Sequence, residues 1–501
     1  MGPRMTHNKD LEHISVAGET LSEQEVRTKK VEALRAQGIE PWLPAQPVAN
    51  TCRQVIDDQT AHQDEREYII SGRLMTIRGH GKTSFCNLQD SSGKLQIYIK
   101  EDLIGAEKFE FFQKYIDLGD LVWCKGTAFL TKTGELTLRL NDFKLLAKCL
   151  HPLPEKFHGL ADIEIKHRQR YLDLLTSAET RERFMKRSRI VQTIREYLNA
   201  YGYLEVETPM LHPIPGGAAA RPFITHHNAL DTDLYLRIAP ELYLKRLLVG
   251  GFERVYEINR NFRNEGVSTR HNPEFTMIEF YTAHHDYQYI MNFVETLFKK
   301  LAMDVCGTLQ VPFGDQTINF DNFRRISPYN AVIEYGGLTK EALTPERIDI
   351  TCKEQNVTVK PETSYNQKVF ALFEACAESK LIDPVFIVDF PIEISPLAQR
   401  DAKDPNIAAR FELFIAGMEF GNGFNELNDP FDQAERFKKQ VEAHAAGDEE
   451  AMHYDADFIT ALEYGMPPAV GVGIGIDRLV MLLTNTITIK EVILFPALKR
   501  K

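Results

Sequence analysis

The chain has 501 residues, of which 43% are hydrophobic, and a formal net charge of −12. This size and composition are typical of a globular protein with two or three domains and a large core. The negative charge argues against general affinity for nucleic acid, because sequence-independent binding requires clustered basic side chains. A nucleic-acid partner would therefore have to use local patches.

No apolar run is long enough to span a membrane, and the amino terminus lacks the apolar core of a signal peptide. We therefore expect no membrane partner and a cytoplasmic location. The 7 cysteines are scattered without a C-x-x-C pair. Their spacing argues against both a disulfide framework and a zinc site.

Residues 1–65 are predicted to form a helical extension. Ser22 and Glu25 have the spacing of a capping box, and Gly38 is a suitable stop for the helix that follows. The helix carries four basic residues, Arg27, Lys29, Lys30 and Arg35. These side chains form either a local nucleic-acid patch or an ordinary solvated face.

Residues 66–150 are predicted to form a five-stranded β-barrel of the oligonucleotide-binding (OB) type. Short β-rich runs separated by glycine-bearing turns fill this range, which we interpret as strand throughout. Phe85 offers a ring on which a splayed base can stack, while Arg78, Gln96 and Glu135 offer polar groups for base edges. The alternative is that Phe85 belongs to the barrel core.

Residues 151–178 are predicted to be a linker, in which a stretch with prolines and glycine is followed by a basic, tyrosine-bearing helix at 167–174. Residues 179–501 are predicted to mix helices and strands, with a helical insert near 327–380. Helical spacing over 181–201 leads into an extended segment over 203–209. The proline that closes this segment indicates an edge strand. An unpaired edge favours pairing with a second copy of the chain, so we expect a homodimer.

A hairpin with a polar loop is predicted over residues 254–281, from the alternation of polar and apolar residues in both arms. Arg263 ends the first arm, His271 lies in the loop, and two carboxylates, Glu265 and Glu279, lie near them. An arginine fork suits a phosphate or a carboxylate, and Phe275 could stack on a flat base. The alternative is an ordinary hairpin with a solvated charged face.

Residues 410–420 are predicted to form a second hairpin, which turns at Ala416 and Gly417. In that register Glu412 and Glu419 lie on the same face. Two carboxylates repel each other on a bare surface, so a hard cation such as Mg²⁺, already bound to phosphates, is a physical reason for the pair.

A glycine-rich strand precedes Arg478. Glycines at 471, 473 and 475 alternate with apolar residues, which leaves one face of the strand without side chains. A flat ring can then lie against the backbone, and Arg478, at the start of the next helix, can reach the ring or a phosphate. The run lacks the third glycine of the dinucleotide-binding fingerprint.

Taken in order, these segments resemble the three signature motifs of class II aminoacyl-tRNA synthetases. The first motif is similar to the helix and strand ending at Pro209, the second to residues 262–265 with their loop, and the third to the glycine strand ending at Arg478. Asp477 departs from the family, which more often has glutamate there. The barrel before the catalytic domain, with residues 168–174 between them, resembles the aspartyl, asparaginyl and lysyl subgroup.

Three further segments, 215–223, 239–245 and 421–424, are similar to the lysyl members of this subgroup. The resemblance implies an α+β protein in which an OB-fold anticodon-binding domain precedes a catalytic domain built on an antiparallel sheet flanked by helices. It also implies ATP-dependent activation of L-lysine to lysyl-adenylate. Transfer to the 3′ end of tRNA(Lys) would follow, with AMP and pyrophosphate as the other products.

The resemblance also implies a role for each candidate residue. The catalytic residues would be Arg263 and Arg478. The lysine contacts would be Gly217, Glu241, Arg263, Glu279, Tyr281, Asn422, Phe424 and Glu426. The ATP contacts would be Arg263, Glu265, His271, Asn272, Phe275 and Arg478. Glu412 and Glu419 would bind Mg²⁺, and the anticodon contacts would be Arg78, Phe85, Gln96 and Glu135.

Charge favours lysine as the amino acid, because a pocket for aspartate would need a facing cation, whereas Glu279, Glu426 and Tyr281 suit an ammonium group. Two alternatives remain. A lysine-activating ligase with a protein acceptor would share the catalytic domain, although its relatives usually lack the barrel. A non-catalytic oligonucleotide-binding protein would use the barrel alone and would have no need of Arg263 or Arg478.

Overall fold

The computed structural model describes residues 21–154 and 162–499, and the chain divides into two compact units, Met1–Gly159 and Leu160–Lys501. No helix within the described residues is long and apolar enough to cross a membrane. All 7 cysteines carry free thiols, which agrees with the absence of a disulfide pattern in the sequence.

The first unit contains a closed five-stranded barrel, as the sequence predicted. Its strands are β1 Glu67–His80, β2 Thr83–Gln89, β3 Lys94–Lys100, β4 Leu121–Leu130 and β5 Leu136–Ala147. They follow the order β1-β2-β3-β5-β4, in which β3 and β5 run parallel and β1 pairs with β4 to close the ring. Alternate side chains point inward, so that Cys86, Leu88, Ile97 and Leu138 are buried together in the core.

In the described part of the first unit, four helices accompany the barrel. They are α1 Glu23–Ala36, α2 Cys52–Asp57, α3 Glu101–Ile104 and α4 Ala106–Tyr115. The interpretation of residues 66–150 as strand throughout is wrong at α3 and α4. Phe109, Phe112 and Tyr115 recur at helical spacing and pack into the barrel core, so burial favours a helix there.

The capping box predicted for α1 is present, since Ser22 and Glu25 each accept from the other's backbone amide. The basic face of this helix is not a free patch. Arg27 is buried and donates to the carbonyl oxygens of Leu118 and Cys149, both at 2.9 Å. The described part of the 1–65 extension therefore packs on the barrel through one of its own cations.

The second unit is built on an eight-stranded sheet in the order β14-β15-β16-β17-β18-β11-β10-β6. Its strands are β6 Leu204–Glu205, β10 Arg254–Phe262, β11 Glu274–Ala283, β14 Arg324–Ile326, β15 Val385–Pro391, β16 Ile407–Ile415, β17 Met418–Asn425 and β18 Ala469–Gly475. Pairing is antiparallel from β15 to β10 and parallel in the two outermost pairs. The short strand β6 lies at the edge, as the proline at the end of the segment predicted.

Two smaller sheets flank the large one. They are formed by β7 Leu211–His212, β8 Phe223–His227 and β9 Thr232–Leu236, and by β12 Gln310–Phe313 and β13 Gln316–Asn319. The helices are α5 Ile163–Arg168, α6 Arg170–Thr176, α7 Ala178–Ala200, α8 Glu241–Val249, α9 Tyr287–Cys306, α10 Pro328–Glu334, α11 Ile348–Glu354, α12 Tyr365–Cys376, α13 Pro430–Ala445, α14 Ala456–Glu463 and α15 Ile476–Leu483.

One face of the large sheet packs against helices, and the other is left for polar residues. Ile278, Phe280 and Ile474 pack in one core cluster with Val294 and Leu297 of α9. Because side chains alternate along a strand, Glu279, Tyr281 and the glycines of β18 face the other way. The insert near 327–380 contains α10 to α12, which form a separate core with β15.

Within the segment 151–178, the helix predicted at 167–174 is confirmed, but helical structure begins earlier than predicted. Residues 163–176 form α5 and α6 and belong to the second unit. Arg170 is fully buried and donates to the carbonyl oxygens of Leu494 and Lys490 and to the carboxylate of Asp173. These bonds to residues far along the chain fix the helices to the second unit, which the prediction of a linker did not include.

Candidate active site

Two rows of side chains cross the polar face of the large sheet. Residues directly paired in neighbouring strands lie side by side on one face. The first row consists of Glu412, Asn422, Gly473, Glu279 and Glu257. The second row, two residues along each strand, consists of Arg410, Phe424, Gly471 and Tyr281. Strand register alone therefore brings together residues from five separate strands.

The glycines of β18 make room within these rows. A Cβ on Gly471 would overlap the Glu426 carboxylate and the Tyr281 ring, and a Cβ on Gly473 would lie 2.8 Å from the Met277 Cε. A Cβ on Gly475 would meet nothing closer than 3.9 Å. The bare backbone at Gly471 is thus covered by the protein's own acid and ring.

A cavity of about 420 Å³ opens on this face of the sheet. All residues that the sequence assigned to lysine, ATP and Mg²⁺ line it: Gly217, Glu241, Arg263, Glu265, His271, Asn272, Phe275, Glu279, Tyr281, Glu412, Glu419, Asn422, Phe424, Glu426 and Arg478. The lining residues of the cavity come from several elements, namely the hairpin loop, α8, β11, β17 and β18. The alternative of a solvated hairpin face is excluded, because Glu257 and Glu279 are buried.

The acids at one end of the cavity are buried and closely connected. Glu241, the first residue of α8, forms an ion pair of 2.7 Å with Lys245, and Glu426 contacts the same ammonium. The Tyr281 hydroxyl donates to Glu279 at 2.8 Å. Oε1 of Glu426 has no hydrogen-bond partner in the part of the chain that is described. A buried carboxylate oxygen beside a cavity is suited to accept a bond from a cationic ligand.

Burial raises the pKa of each of these acids and so favours the protonated form. Burial, together with the charge of Glu241, raises the pKa of Glu279 to about 8. Burial also raises the pKa of Glu426 well above its ordinary value, although Lys245 acts in the opposite direction. The pKa of Glu241 is likewise raised by burial and lowered by Lys245. A bound cation would favour the ionised form of each acid.

Two arginines, Arg263 and Arg478, also line the cavity. The Arg263 guanidinium lies 5.2 Å from the centroid of the Phe275 ring, and its buried Nε has no hydrogen-bond partner among the residues described. Arg478 donates to the carbonyl of Glu419 at 2.6 Å and to Nε2 of His271 at 3.2 Å. Burial, followed by the charge of Arg478, lowers the pKa of His271. Both guanidinium groups suit anionic oxygens.

Glu412 and Glu419 fit a hard cation. Glu419 pairs with Phe414 across the β16–β17 hairpin, which puts the two acids on one face as predicted. The pKa of Glu412 is raised to about 8, mainly by burial. The charge of Arg410 acts to lower this pKa, and the charge of Glu419 acts to raise it. Within the described ranges no cluster of three or more His, Cys, Asp or Glu could hold a metal. Oxygen atoms of a nucleotide would therefore have to complete the shell.

The residues predicted to contact the anticodon lie on the outer surface of the barrel. Phe85 is half-buried outside the barrel core, so the alternative of a core residue is excluded. Its ring lies 4.7 Å from that of Tyr98. Arg78 pairs with Phe85 across β1 and β2, and Gln96 donates to Glu135 at 2.9 Å. These polar groups bind each other in the nucleic-acid-free protein.

Sequence reasoning missed Lys245, Arg410 and Tyr98. The spacing of Glu241 and Lys245, four residues apart on a helix, is a signal for an ion pair. Arg410 lies two residues before Glu412 in a strand, which places both on one face, and they bond at 2.6 Å. The contact of Tyr98 depends on the register of β2 against β3 and has no local signal.

Comparison with known proteins covers both units. The family described as tRNA synthetases class II (D, K and N) matches residues 162–499, and the OB-fold nucleic acid binding domain matches residues 68–146. A lysine--tRNA ligase of Carboxydothermus hydrogenoformans is 52% identical over 476 residues, which is 95% of this chain and 97% of the relative. That of Magnetococcus marinus is 52% identical over 497 residues, covering 96% and 99%.

Proposed function

This chain belongs to the class II tRNA synthetases of the D, K and N group, and from that premise we propose that it activates L-lysine with ATP and transfers the lysyl group to tRNA(Lys). The observation that carries the choice of lysine is the acid end of the cavity, where Glu241, Glu279 and Glu426 are buried together. An aspartate side chain would add a negative charge there, whereas lysine supplies an ammonium group. The names of the relatives support the same choice.

In the first step, a carboxylate oxygen of lysine attacks the α-phosphorus of ATP. The new bond forms as the bond between that phosphorus and the bridging oxygen of pyrophosphate breaks, so the products are lysyl-adenylate and pyrophosphate. Arg263 and Arg478 are suited to hold the anionic oxygens and to offset the charge that develops on them. No protein nucleophile is required, because positioning and electrostatics lower the barrier.

In the second step, the terminal ribose hydroxyl of the tRNA attacks the carbonyl carbon of the adenylate. An ester bond forms as the bond to the phosphate oxygen breaks, the hydroxyl proton passes to solvent, and AMP leaves. Glu241 and Gly217 are proposed to hold the α-amino group. Glu279, Tyr281 and Glu426 would hold the side-chain ammonium throughout, with Asn422 and Phe424 beside it.

The nucleotide is proposed to lie against the hairpin loop and β18. Phe275 offers a ring for adenine, while Glu265, His271 and Asn272 offer polar groups beside it. Glu412 and Glu419 would hold Mg²⁺ together with phosphate oxygens. The ion would supply neutralisation of phosphate charge at this site.

The other partners follow from the barrel and the sheet edge. We propose that the barrel binds the anticodon through Arg78, Phe85, Gln96 and Glu135, which the OB-fold match supports. We further propose a homodimer, supported by the unpaired edge of β6. A cytoplasmic location is supported by the need for ATP and tRNA.

Amino-acid-dependent exchange of labelled pyrophosphate into ATP tests the function directly. We expect exchange with lysine and none above background with aspartate or asparagine. Arg263→Ala should abolish lysine-dependent exchange and leave the fold intact by circular dichroism. Arg260→Ala is the matched control, because Arg260 lies on β10 three residues before Arg263 and pairs with Glu274 outside the cavity. Near-normal exchange in Arg263→Ala would contradict the assignment.

Charging assays separate the tRNA acceptor from the alternative of a protein acceptor. Unfractionated tRNA should accept labelled lysine in the presence of ATP and the full chain. Substitution of Phe85 by leucine should weaken this charging and leave pyrophosphate exchange unchanged, because exchange does not use the barrel. Exchange with lysine combined with no charging of any tRNA would favour the protein-acceptor ligase.

A further inference from the structure

Lys245 lies behind the acid end of the cavity, and its side chain has no exposed surface. Its ammonium forms the ion pair of 2.7 Å with Glu241, contacts Glu426, and lies 5.3 Å from the centroid of the Phe424 ring. Its three partners all line the cavity, whereas Lys245 does not. Lys245 is therefore part of the wall, and a ligand would meet its partners first.

The charges around the acid end can be counted. Three carboxylates face the same space, those of Glu241 on α8, Glu279 on β11 and Glu426 just after β17. The other groups that face or contact them are two ion pairs and a hydroxyl, namely Arg410 with Glu412, Arg237 with Glu257, and Tyr281. Because each arginine has an acid of its own, Lys245 is the one remaining cation among the described residues in contact with the three acids.

Lys245 keeps its charge in spite of its burial. Burial lowers the pKa of a lysine, but the charges of Glu241 and Glu426 outweigh that effect and raise the pKa of Lys245 above its ordinary value. When all three acids are ionised, as a bound cation favours, three carboxylates and one ammonium leave a deficit of two positive charges. Free lysine carries two ammonium groups, one at the α-carbon and one at the end of the side chain, and so matches that deficit.

We propose that Lys245 is a positioning and specificity residue: a resident counter-ion that favours the ionised forms of Glu241 and Glu426 and orients both acids, so that the pocket is balanced by an amino acid with two ammonium groups. The inference rests on the proposed activation of lysine. Glu241 is the acid proposed for the α-amino group and Glu426 one of those for the side chain. Lys245 thus connects the two ends of the substrate through one buried charge.

Removal of this charge should change the proton balance of lysine binding. In Lys245→Met, which keeps the length and volume of the side chain, the pKa values of Glu241 and Glu426 lose the lowering effect of the ammonium, so that an acid ionised beside Lys245 would take up a proton in the variant. Lysine must then displace that proton. A role in packing alone would leave the proton balance unchanged.

Calorimetric titration of lysine into the full chain, in two buffers of different ionisation enthalpy, counts the protons released. We expect Lys245→Met to release about one more proton per lysine than the unchanged protein at neutral pH. The KM for lysine in pyrophosphate exchange should rise about tenfold for each unit by which the lost charge raises an acid's pKa, and it should rise further at lower pH. The kcat should change less than the KM.

Lys299→Met is the matched control, since Lys299 forms the same type of i, i+4 pair with Glu295 on α9, outside the cavity. It should bind lysine with the proton count of the unchanged protein. Equal proton counts and KM values in Lys245→Met and the unchanged protein would overturn the inference while the proposed function stands. Failure of the unchanged protein to exchange with lysine would overturn the proposed function itself.

A crystal structure of the unchanged protein with lysine bound tests the inference without any variant, in case Lys245→Met does not fold. We expect the Lys245 Nζ to stay within hydrogen-bond distance of both Glu241 and Glu426, with the two substrate ammonium groups on the cavity side of these acids. Movement of Nζ away from either carboxylate on lysine binding would show that the substrate replaces Lys245, which contradicts a resident counter-ion.

Discussion

Among the residues that the structure describes, each unit has a lysine side chain that is completely buried between two acids. Lys148 in the barrel unit contacts Asp117 at 2.5 Å and Asp120 at 2.7 Å, and Lys245 in the catalytic unit contacts Glu241 and Glu426. The two clusters share composition and burial. They differ in what remains for the acids to bind.

The barrel cluster is closed by backbone groups. Lys148 also donates to the carbonyl of Tyr115 at 2.6 Å, and the two oxygens of Asp120 accept from the amides of Cys149 and Asp117, both at 2.8 Å. In the catalytic cluster, Glu426 lines the cavity, and its buried Oε1 has no hydrogen-bond partner among the described residues. Unsatisfied oxygens, rather than the buried ion pair itself, therefore distinguish a binding site from a structural cluster.

The largest expected difference between the clusters around Lys148 and Lys245 is in the free energy of unfolding. Lys148→Met leaves Asp120 buried without its cation, while Asp117 keeps an ion pair of 2.7 Å with Lys30. Removal of one partner of a buried pair costs about 3–5 kcal/mol of unfolding free energy. We expect a lower denaturant midpoint for the barrel unit and an unchanged KM for lysine in pyrophosphate exchange. Lys144→Met, at an exposed lysine of β5 four residues before Lys148, is the control and should unfold like the unchanged protein. A change in lysine KM comparable to that of Lys245→Met would mean that the clusters do not differ as argued.

A single added methyl group, at Gly471, would fill the space that Glu426 and Tyr281 occupy beside the cavity. In Gly471→Ala the new Cβ would displace Glu426 and Tyr281, and misplacement of binding groups by about an ångström can cost roughly a hundredfold in rate. We expect lysine-dependent exchange to fall by about that factor. Gly475→Ala on the same strand, where the Cβ meets nothing closer than 3.9 Å, should exchange nearly normally. Equal activities of the two variants would show that the space at Gly471 is not needed.

The same contrast explains which features the sequence could predict. The register of β16 and β17 is set by a turn at Ala416 and Gly417, both of which have positive φ. The position of Glu419 beside Glu412 was therefore predictable from the chain alone, as was the bare face of β18. These features depend on local geometry with a fixed period.

Other features depend on distant partners and could not be predicted in this way. The sequence around Lys245 indicates only a charged residue on a helix. Its contact with Glu426, which follows β17, depends on the tertiary structure. Arg170 bonds to carbonyl groups more than three hundred positions away, so its burial could not be predicted from the helix around it. In α4, the phenylalanines are buried because they pack into the barrel core. Local spacing indicates a helix or an ion pair in each of the three cases, but the burial of these side chains depends on distant partners.

The smallest of the expected effects concerns pH and Glu279, the acid of the open cluster that has no contact with Lys245. Because its pKa is raised by burial from 4.5 to about 8, the folded protein keeps a proton that the unfolded chain releases. Its contribution to stability is present below the unfolded pKa and is lost as the pH rises towards 8. The side-chain ammonium of lysine stays charged in this range and must displace the proton.

The KM for lysine should therefore fall by about tenfold for each pH unit from about 6 to 7 and level off above about 8. Pyrophosphate exchange measured across this range checks the slope. Glu279→Gln has no proton to release at this position, so its KM should be higher and lose that slope. A lysine KM that does not change with pH in the unchanged protein would mean that Glu279 is already ionised without lysine. The acids at this end of the cavity would then have all the partners they need within the protein, like those around Lys148.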